Sequence, residues 1–130
     1  MRFAITGLNH RTAPLEVREK LAFSEQSLPE ALRALKGETG LLEGLILSTC
    51  NRVEVAVASE DSCDPVSLAT HFFERSRSVE HGWAQPYLYH HEDREAVRHL
   101  FRVAASLDSM VLGEPQILGQ LKTAYAAARE

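Results

Sequence analysis

Cys50 stands in Ser48-Thr49-Cys50-Asn51-Arg52, between two apolar runs. A thiol at a turn beside an arginine is partly exposed and near a cation, and both conditions favour the nucleophilic thiolate. The plainer alternative is a small, buried apolar residue at a strand end. Arg52 carries a planar fork that matches a carboxylate; its alternative is a surface ion pair with Glu54, which would contribute little. His99 is placed by helical spacing at the border of an apolar face. An imidazole there could be the acid or base partner of a thiol, or simply a half-buried helix histidine. The second thiol, Cys63, adjoins Asp64 and lacks a neighbouring cation, so no chemical role is expected of it.

Three further polar residues, Ser109, Glu114 and Gln116, surround the apolar Met110-Val111-Leu112. They read either as a clamp on a substrate amine or hydroxyl, or as caps on the flanking helices. Arg94, Arg98 and Arg102 recur every four residues and span about 12 Å of helix. A phosphate backbone could use them, although a solvated face partly balanced by Glu95 is the simpler account. The histidines form no H-E-x-x-H pattern, and the spacing of the two cysteines matches no common zinc site, so no metal is expected.

Composition narrows the classes. The 130 residues are 45% hydrophobic and 25% charged, with a net charge of −4. That is the mix of one soluble domain with a substantial core. A protein coating nucleic acid non-specifically would be basic, so that class is disfavoured. Eleven of the fourteen basic residues are arginine, which leaves a local anion site open. Two cysteines make no disulfide framework and read as free thiols in a reducing compartment. With no signal peptide at the N-terminus and no run of roughly 18 apolar residues, a cytoplasmic protein without a membrane segment is expected.

The elements that must position these residues follow from periodicity. Residues 3–8 alternate as a strand, and 9–14 read as a loop ending at Pro14. Ser24 and Ser27 are candidate N-caps. Ser27 has capping-box spacing to Glu30, and the helix after it carries Leu28, Ala31, Leu32 and Leu35 and stops at Gly37. Residues 44–48 and 53–57 read as two strands joined by a tight hairpin at 49–52, with Asn51 suited to a left-handed turn. Asp64-Pro65 caps a helix bearing Leu68, Ala69, Phe72 and Phe73. Residues 78–86 are loop and 87–89 a last strand. A helix over about 93–107 turns Ala96, Val97, Leu100, Phe101, Ala104 and Leu107 inward. Another starts near Pro115, and its stripe of Ile117, Leu118, Leu121, Ala124, Tyr125 and Ala128 reaches Glu130 without a stop signal. The order predicts an α+β fold of the ferredoxin-like, split βαβ type (βαββαβ) with two additional C-terminal helices. A boundary is expected at 110/111, with 1–110 as the chemical domain and 111–130 as the start of a connecting helix.

Four segments of this sequence resemble one family. They are Gly7-Leu8-Asn9-His10-Arg11-Thr12-Ala13-Pro14, Ser48-Thr49-Cys50-Asn51-Arg52-Val53-Glu54, His99-Leu100-Phe101-Arg102-Val103-Ala104, and the run from Leu107-Asp108-Ser109 through Gly113-Glu114-Pro115-Gln116 to Gly119-Gln120. In series they resemble the N-terminal catalytic domain of the glutamyl-tRNA reductases. The resemblance implies reduction of glutamyl-tRNA to glutamate-1-semialdehyde with NADPH, the first step of the five-carbon route to tetrapyrroles such as haem. It implies Cys50 as nucleophile, forming a thioester with the glutamyl group, and His99 close to the reacting centre. Thr49 and Arg52 would hold the glutamate side chain and its surroundings, and Ser109, Glu114 and Gln116 would belong to the same pocket. Homodimerisation would use a C-terminal domain that these residues do not include.

Two departures stand out. Ala56 replaces the aromatic residue usual in the family, and no G-x-G-x-x-G occurs, so this chain alone is expected neither to bind NADPH nor to complete a reduction. The competing reading is a non-catalytic ferredoxin-like binding or regulatory module.

Overall fold

The computed structural model describes residues 1–105. Within them run β1 (Arg2–Asn9), α1 (Leu15–Leu21), α2 (Leu28–Lys36), β2 (Leu41–Ser48), β3 (Arg52–Ser59), α3 (Pro65–Ser76), a 3-10 turn (Gln85–Tyr87), β4 (Tyr89–Glu92) and α4 (Asp93–Ala104). The four strands form one sheet in the order β2-β3-β1-β4, with every neighbouring pair antiparallel. The α+β expectation therefore holds. The expected helix from Pro115, the 110/111 boundary, and Ser109, Glu114 and Gln116 lie outside the described residues.

The period-two alternation of the strands assigns their faces. Val53, Val55 and Val57 of β3, Leu8 of β1 and Ile46 of β2 join Leu32, Leu35, Phe72 and Phe73 in the main core under α1, α2 and α3. Phe23, Phe72 and Phe73 stack there with ring centroids 5.8 to 6.3 Å apart, an arrangement favoured by the aromatic quadrupoles. The opposite face carries Ile5, Leu45, Leu47 and Ala56, and α4 covers it with Ala96 and Val103. Ala56 thus lies in the small cluster under α4. A strand covered on both faces has no solvent side, so all eight residues of β3 are buried, Arg52 and Glu54 included.

Several local expectations are corrected. Residues 15–21 form α1, which spacing alone did not assign: Val17 and Leu21 are its only buried positions, too short a stripe to register. Strand β4 lies at 89–92 rather than 87–89, because Pro86 and its neighbours take up the 3-10 turn. Ser27 makes no side-chain cap; Ser24 closes that turn, its hydroxyl oxygen accepting from the Ser27 N–H. Asp64 does cap α3, accepting from the Val66 N–H at 3.2 Å. In α4 the inward residues are Ala96, His99 and Val103, while Val97 and Phe101 are exposed. The helix is rotated by about one residue from the apolar stripe, and His99 sits at the centre of its buried face.

That rotation is set where β4 runs directly into α4. Asp93 has a φ of +48°, a left-handed conformation that Asp tolerates better than most residues. Its carboxylate accepts the Phe3 N–H at 3.1 Å. The reversal lays α4 back across the sheet and points His99 at Glu54.

Candidate functional site

The second face of the sheet holds a buried polar network. The two carboxylate oxygens of Glu54 have different partners. Oε1 faces the Arg52 guanidinium at 3.5 Å. Oε2 accepts the Tyr89 hydroxyl at 2.6 Å and is also hydrogen-bonded to Nε2 of His99. A carboxylate can only accept, so Nε2 of His99 carries the hydrogen in this bond. The His91 ring stacks on His99 with centroids 4.3 Å apart, and Tyr89 packs at a tilt 5.5 Å away. Burial pushes the Glu54 carboxyl up. The hydrogen bond and charge of His99, the charge of Arg52 and the Tyr89 hydroxyl together outweigh it and hold the group below its ordinary value, so Glu54 is ionised and surrounded by donors.

The hairpin places the thiol. The Thr49 N–H donates to the Arg52 carbonyl at 2.8 Å, leaving Cys50 and Asn51 as the tip. Asn51 does not take the left-handed conformation: among the described residues only Ser78, Asp93, Gly40 and Gly82 have positive φ. The Thr49 hydroxyl closes the turn, accepting from the Asn51 and Arg52 N–H groups at 3.1 Å each. Cys50 is exposed, against the alternative of a buried apolar residue. Its carbonyl accepts from Arg18 of α1 at 2.7 Å. Arg52, two residues further on, points away from the tip into the buried face, being 1% exposed.

The expected site residues are therefore distributed in a specific way. Arg52 and His99 converge on one carboxylate; Thr49 builds the turn that connects Arg52 to Cys50. The Arg52–Glu54 pair exists but is buried rather than superficial, and His99 is 3% exposed rather than half-buried. Reading residues one at a time missed Glu54 as the hub, Tyr89 and His91 as its neighbours, and Arg18 at the hairpin tip. One signal was present: Gly7, a glycine inside a strand pattern, marks a close approach. A Cβ there would lie 2.5 Å from the Val53 carbonyl oxygen and 2.8 Å from Cγ of Glu54. Cys63 serves the fold, its carbonyl accepting from Arg2 at 3.2 Å and from the Ser59 hydroxyl at 3.0 Å.

Among the described residues no group of three or more His, Cys, Asp or Glu is placed to hold a metal ion. Nor do they fit a dinucleotide. β1 leaves the sheet through an Asn9 turn, with Oδ1 accepting from the N–H groups of Arg11 and Thr12. Among the described residues there is no glycine-rich strand-to-helix turn, and the sheet is antiparallel, whereas dinucleotide folds use a parallel one. No helix of the described residues is long and apolar enough to cross a membrane. Arg94, Arg98 and Arg102 are exposed on the outer side of α4, and Arg98 pairs with Glu95 at 3.3 Å.

Known proteins share this sequence and shape. The family model described as "Glutamyl-tRNAGlu reductase, N-terminal domain" matches residues 6–130. The glutamyl-tRNA reductase of Solibacter usitatus is 58% identical over 130 residues, spanning 100% of this chain and 31% of that protein. That of Syntrophotalea carbinolica is 51% identical over 128 residues, 98% of this chain and 29% of the relative. The solved structure of glutamyl-tRNA reductase from Methanopyrus kandleri superposes with a TM-score of 0.73 at 33% identity, covering 98% of this chain and 28% of that one. This chain thus spans about a third of the length of the relatives it matches, and it belongs to the glutamyl-tRNA reductase N-terminal domain family.

Proposed function

We propose that this domain performs the acyl-transfer half of glutamyl-tRNA reduction, with Cys50 as nucleophile. The observation that carries the reading is an exposed thiol on a hairpin whose next residue but one, Arg52, is anchored to the carboxylate that also anchors His99. The Cys50 thiolate attacks the ester carbonyl; a C–S bond forms, the C–O bond to the terminal ribose breaks, and the leaving oxygen takes a proton. His99 is the imidazole assigned near that centre. Arg52 and Thr49 are assigned to the glutamyl side chain, with Ser109, Glu114 and Gln116 completing the pocket. A thioester suits the task because it is a better hydride acceptor than an ester. The hydride is supplied from NADPH in the family, outside these residues, so the chemistry assigned to this chain stops at the thioester.

On the same reading the macromolecular partner is glutamyl-tRNA, the compartment is the cytoplasm, and a full-length protein pairs with a second copy through a C-terminal domain. The strand order β2-β3-β1-β4, with helices crossing between β1 and β2 and between β3 and β4, supports the split βαβ reading of the fold. Incubation with charged tRNA tests the reaction. Slow release of glutamate is expected, and Cys50→Ser should abolish it while Cys63→Ser leaves it intact. Release that persists in Cys50→Ser would remove the thiol from the mechanism. Alkylation provides a second check: labelling at Cys50 should be faster than at Cys63, and equal slow labelling would instead favour a non-catalytic binding module.

A further inference from the structure

Tyr89 lies on β4, two strands away from Glu54 on β3, with β1 between them. The registers align the three positions: Gly7 pairs with Glu54 on one side and with Tyr89 on the other. Because Gly7 has no Cβ, the row is open across β1, and the Tyr89 hydroxyl reaches Oε2 of Glu54 at 2.6 Å. Any side chain at Gly7 would meet the Val53 carbonyl oxygen and then Cγ of Glu54. The same oxygen holds Nε2 of His99, and the His99 ring packs against both His91 and Tyr89, which also touch each other. Among the described residues, apolar side chains also adjoin the carboxylate: Ile5 from β1, Leu45 and Leu47 from β2, and Leu100 from α4. Among the described residues, the titratable groups that face it are Arg52 on β3, Tyr89 on β4 and His99 on α4, with His91 of β4 stacked on His99.

We propose that Tyr89 is a positioning residue for the thiol chemistry: by crossing the Gly7 gap it fixes the Glu54 carboxylate, and through it the orientation of the His99 ring and the Nε2–H it donates. The proposal rests on the acyl-transfer reading for its effect on rate, but not for its effect on His99. Without the hydroxyl, Oε2 keeps a single donor in a buried site, and a buried carboxylate is sensitive to each charge-assisted bond it loses. The carboxylate can then rotate toward Arg52, changing what His99 donates to.

The test uses Tyr89→Phe in this chain, with Tyr87→Phe as control, since Tyr87 packs on Trp83 at the edge of the main core. Two readouts are taken: Cys50-dependent glutamate release across pH, and the ring-nitrogen NMR signals of His99. Tyr89→Phe is expected to lower the maximal release rate about tenfold with KM unchanged, the size of one hydrogen bond to a charged group. It should also displace the pH profile and move the His99 signals, whereas Tyr87→Phe changes none of these. A wild-type rate and pH profile in Tyr89→Phe, or unmoved His99 signals, would overturn the proposal. If the unaltered chain shows no Cys50-dependent release, the acyl-transfer reading fails, and the His99 signals alone then decide the positioning. On the unaltered chain the His99 Nε2 proton should resonate far downfield, with a cross-peak to the Tyr89 ring. Its absence overturns the proposal even if Tyr89→Phe does not fold.

Discussion

The two faces of this sheet are both covered by helices and differ in kind. Under α1, α2 and α3 the strands present Leu8, Ile46, Val53, Val55 and Val57 to aromatic and aliphatic helix residues. Under α4 the same strands present Arg52 and Glu54, met by Tyr89, His91 and His99, with an apolar fringe of Ile5, Leu47, Ala56 and Val103. Hydrophobic burial is non-directional, so the first face can adapt its packing to a changed methylene. The second depends on complete partnership: a buried carboxylate with its donors is tolerated, and a buried cation stripped of its carboxylate is not. Geometry is consequently specified far more tightly on the α4 side, where Arg52 and His99 lie.

The sharpest way to break this comparison is to remove the hub. Glu54→Ala leaves Arg52 and His99 buried without their shared anion and should cost about 3–5 kcal/mol in urea unfolding at neutral pH. A loss comparable to a surface substitution would mean that the network contributes little. The pH dependence sharpens the same point. The Glu54 carboxyl is held below its ordinary 4.5 in the folded chain, so the folded state binds fewer protons there than the unfolded state. Its contribution is complete above that ordinary value and is lost as pH falls through the folded-state value. Acid titration of stability should therefore fall less steeply in Glu54→Gln than in the unaltered chain; parallel curves would show that other carboxylates, such as Glu74 with its bond to the Gly82 N–H, dominate.

A matched pair of glycines gives a smaller and more discriminating effect. A Cβ at Gly7 meets the Val53 carbonyl oxygen at 2.5 Å and Glu54 itself, and backbone cannot step aside without parting β1 from β3. A Cβ at Gly44 meets Cδ2 of Leu35 at 2.6 Å, the end of a side chain that can turn. Gly7→Ala should cost about 1–3 kcal/mol and lower glutamate release, whereas Gly44→Ala should cost under about 1 kcal/mol and leave release unchanged. Equal losses would erase the distinction between the faces. The smallest effect is expected outside both: Arg98→Ala, which removes an exposed pair with Glu95, should change stability by no more than about 0.5 kcal/mol by the same measurement.

Much of the fold was legible because its signals are local. The Asp64-Pro65 start of α3, the valine alternation of β3 and the leucine stripe of α2 each depend on neighbours within a few residues. α1 was not legible, since two buried residues in seven make no stripe. The orientation of α4 was misjudged because Val97 and Phe101 resemble core residues in type, while their exposure depends on the reversal at Asp93. At the site, Cys50, Arg52 and His99 could be named from residue chemistry and motif. Glu54 could not be ranked above an ordinary solvent-side strand residue, because nothing in an alternating strand tells whether a second helix covers its other face.

The sequence by itself determined the element types over most of the described chain, the hairpin that carries Cys50, and the family resemblance, since these are carried by short-range spacing and by runs of residue identity. Only the tertiary structure decided that buried Arg52, Glu54 and His99 form one cluster with half-buried Tyr89 and His91. They come from two strands separated by a third and from a helix 45 positions away from Glu54 in the chain. Their meeting depends on sheet register, on the missing side chain of Gly7 and on the turn at Asp93. A carboxylate's charge state and partners are properties of the space around it, and that space exists only once the sheet has closed and α4 has folded over it.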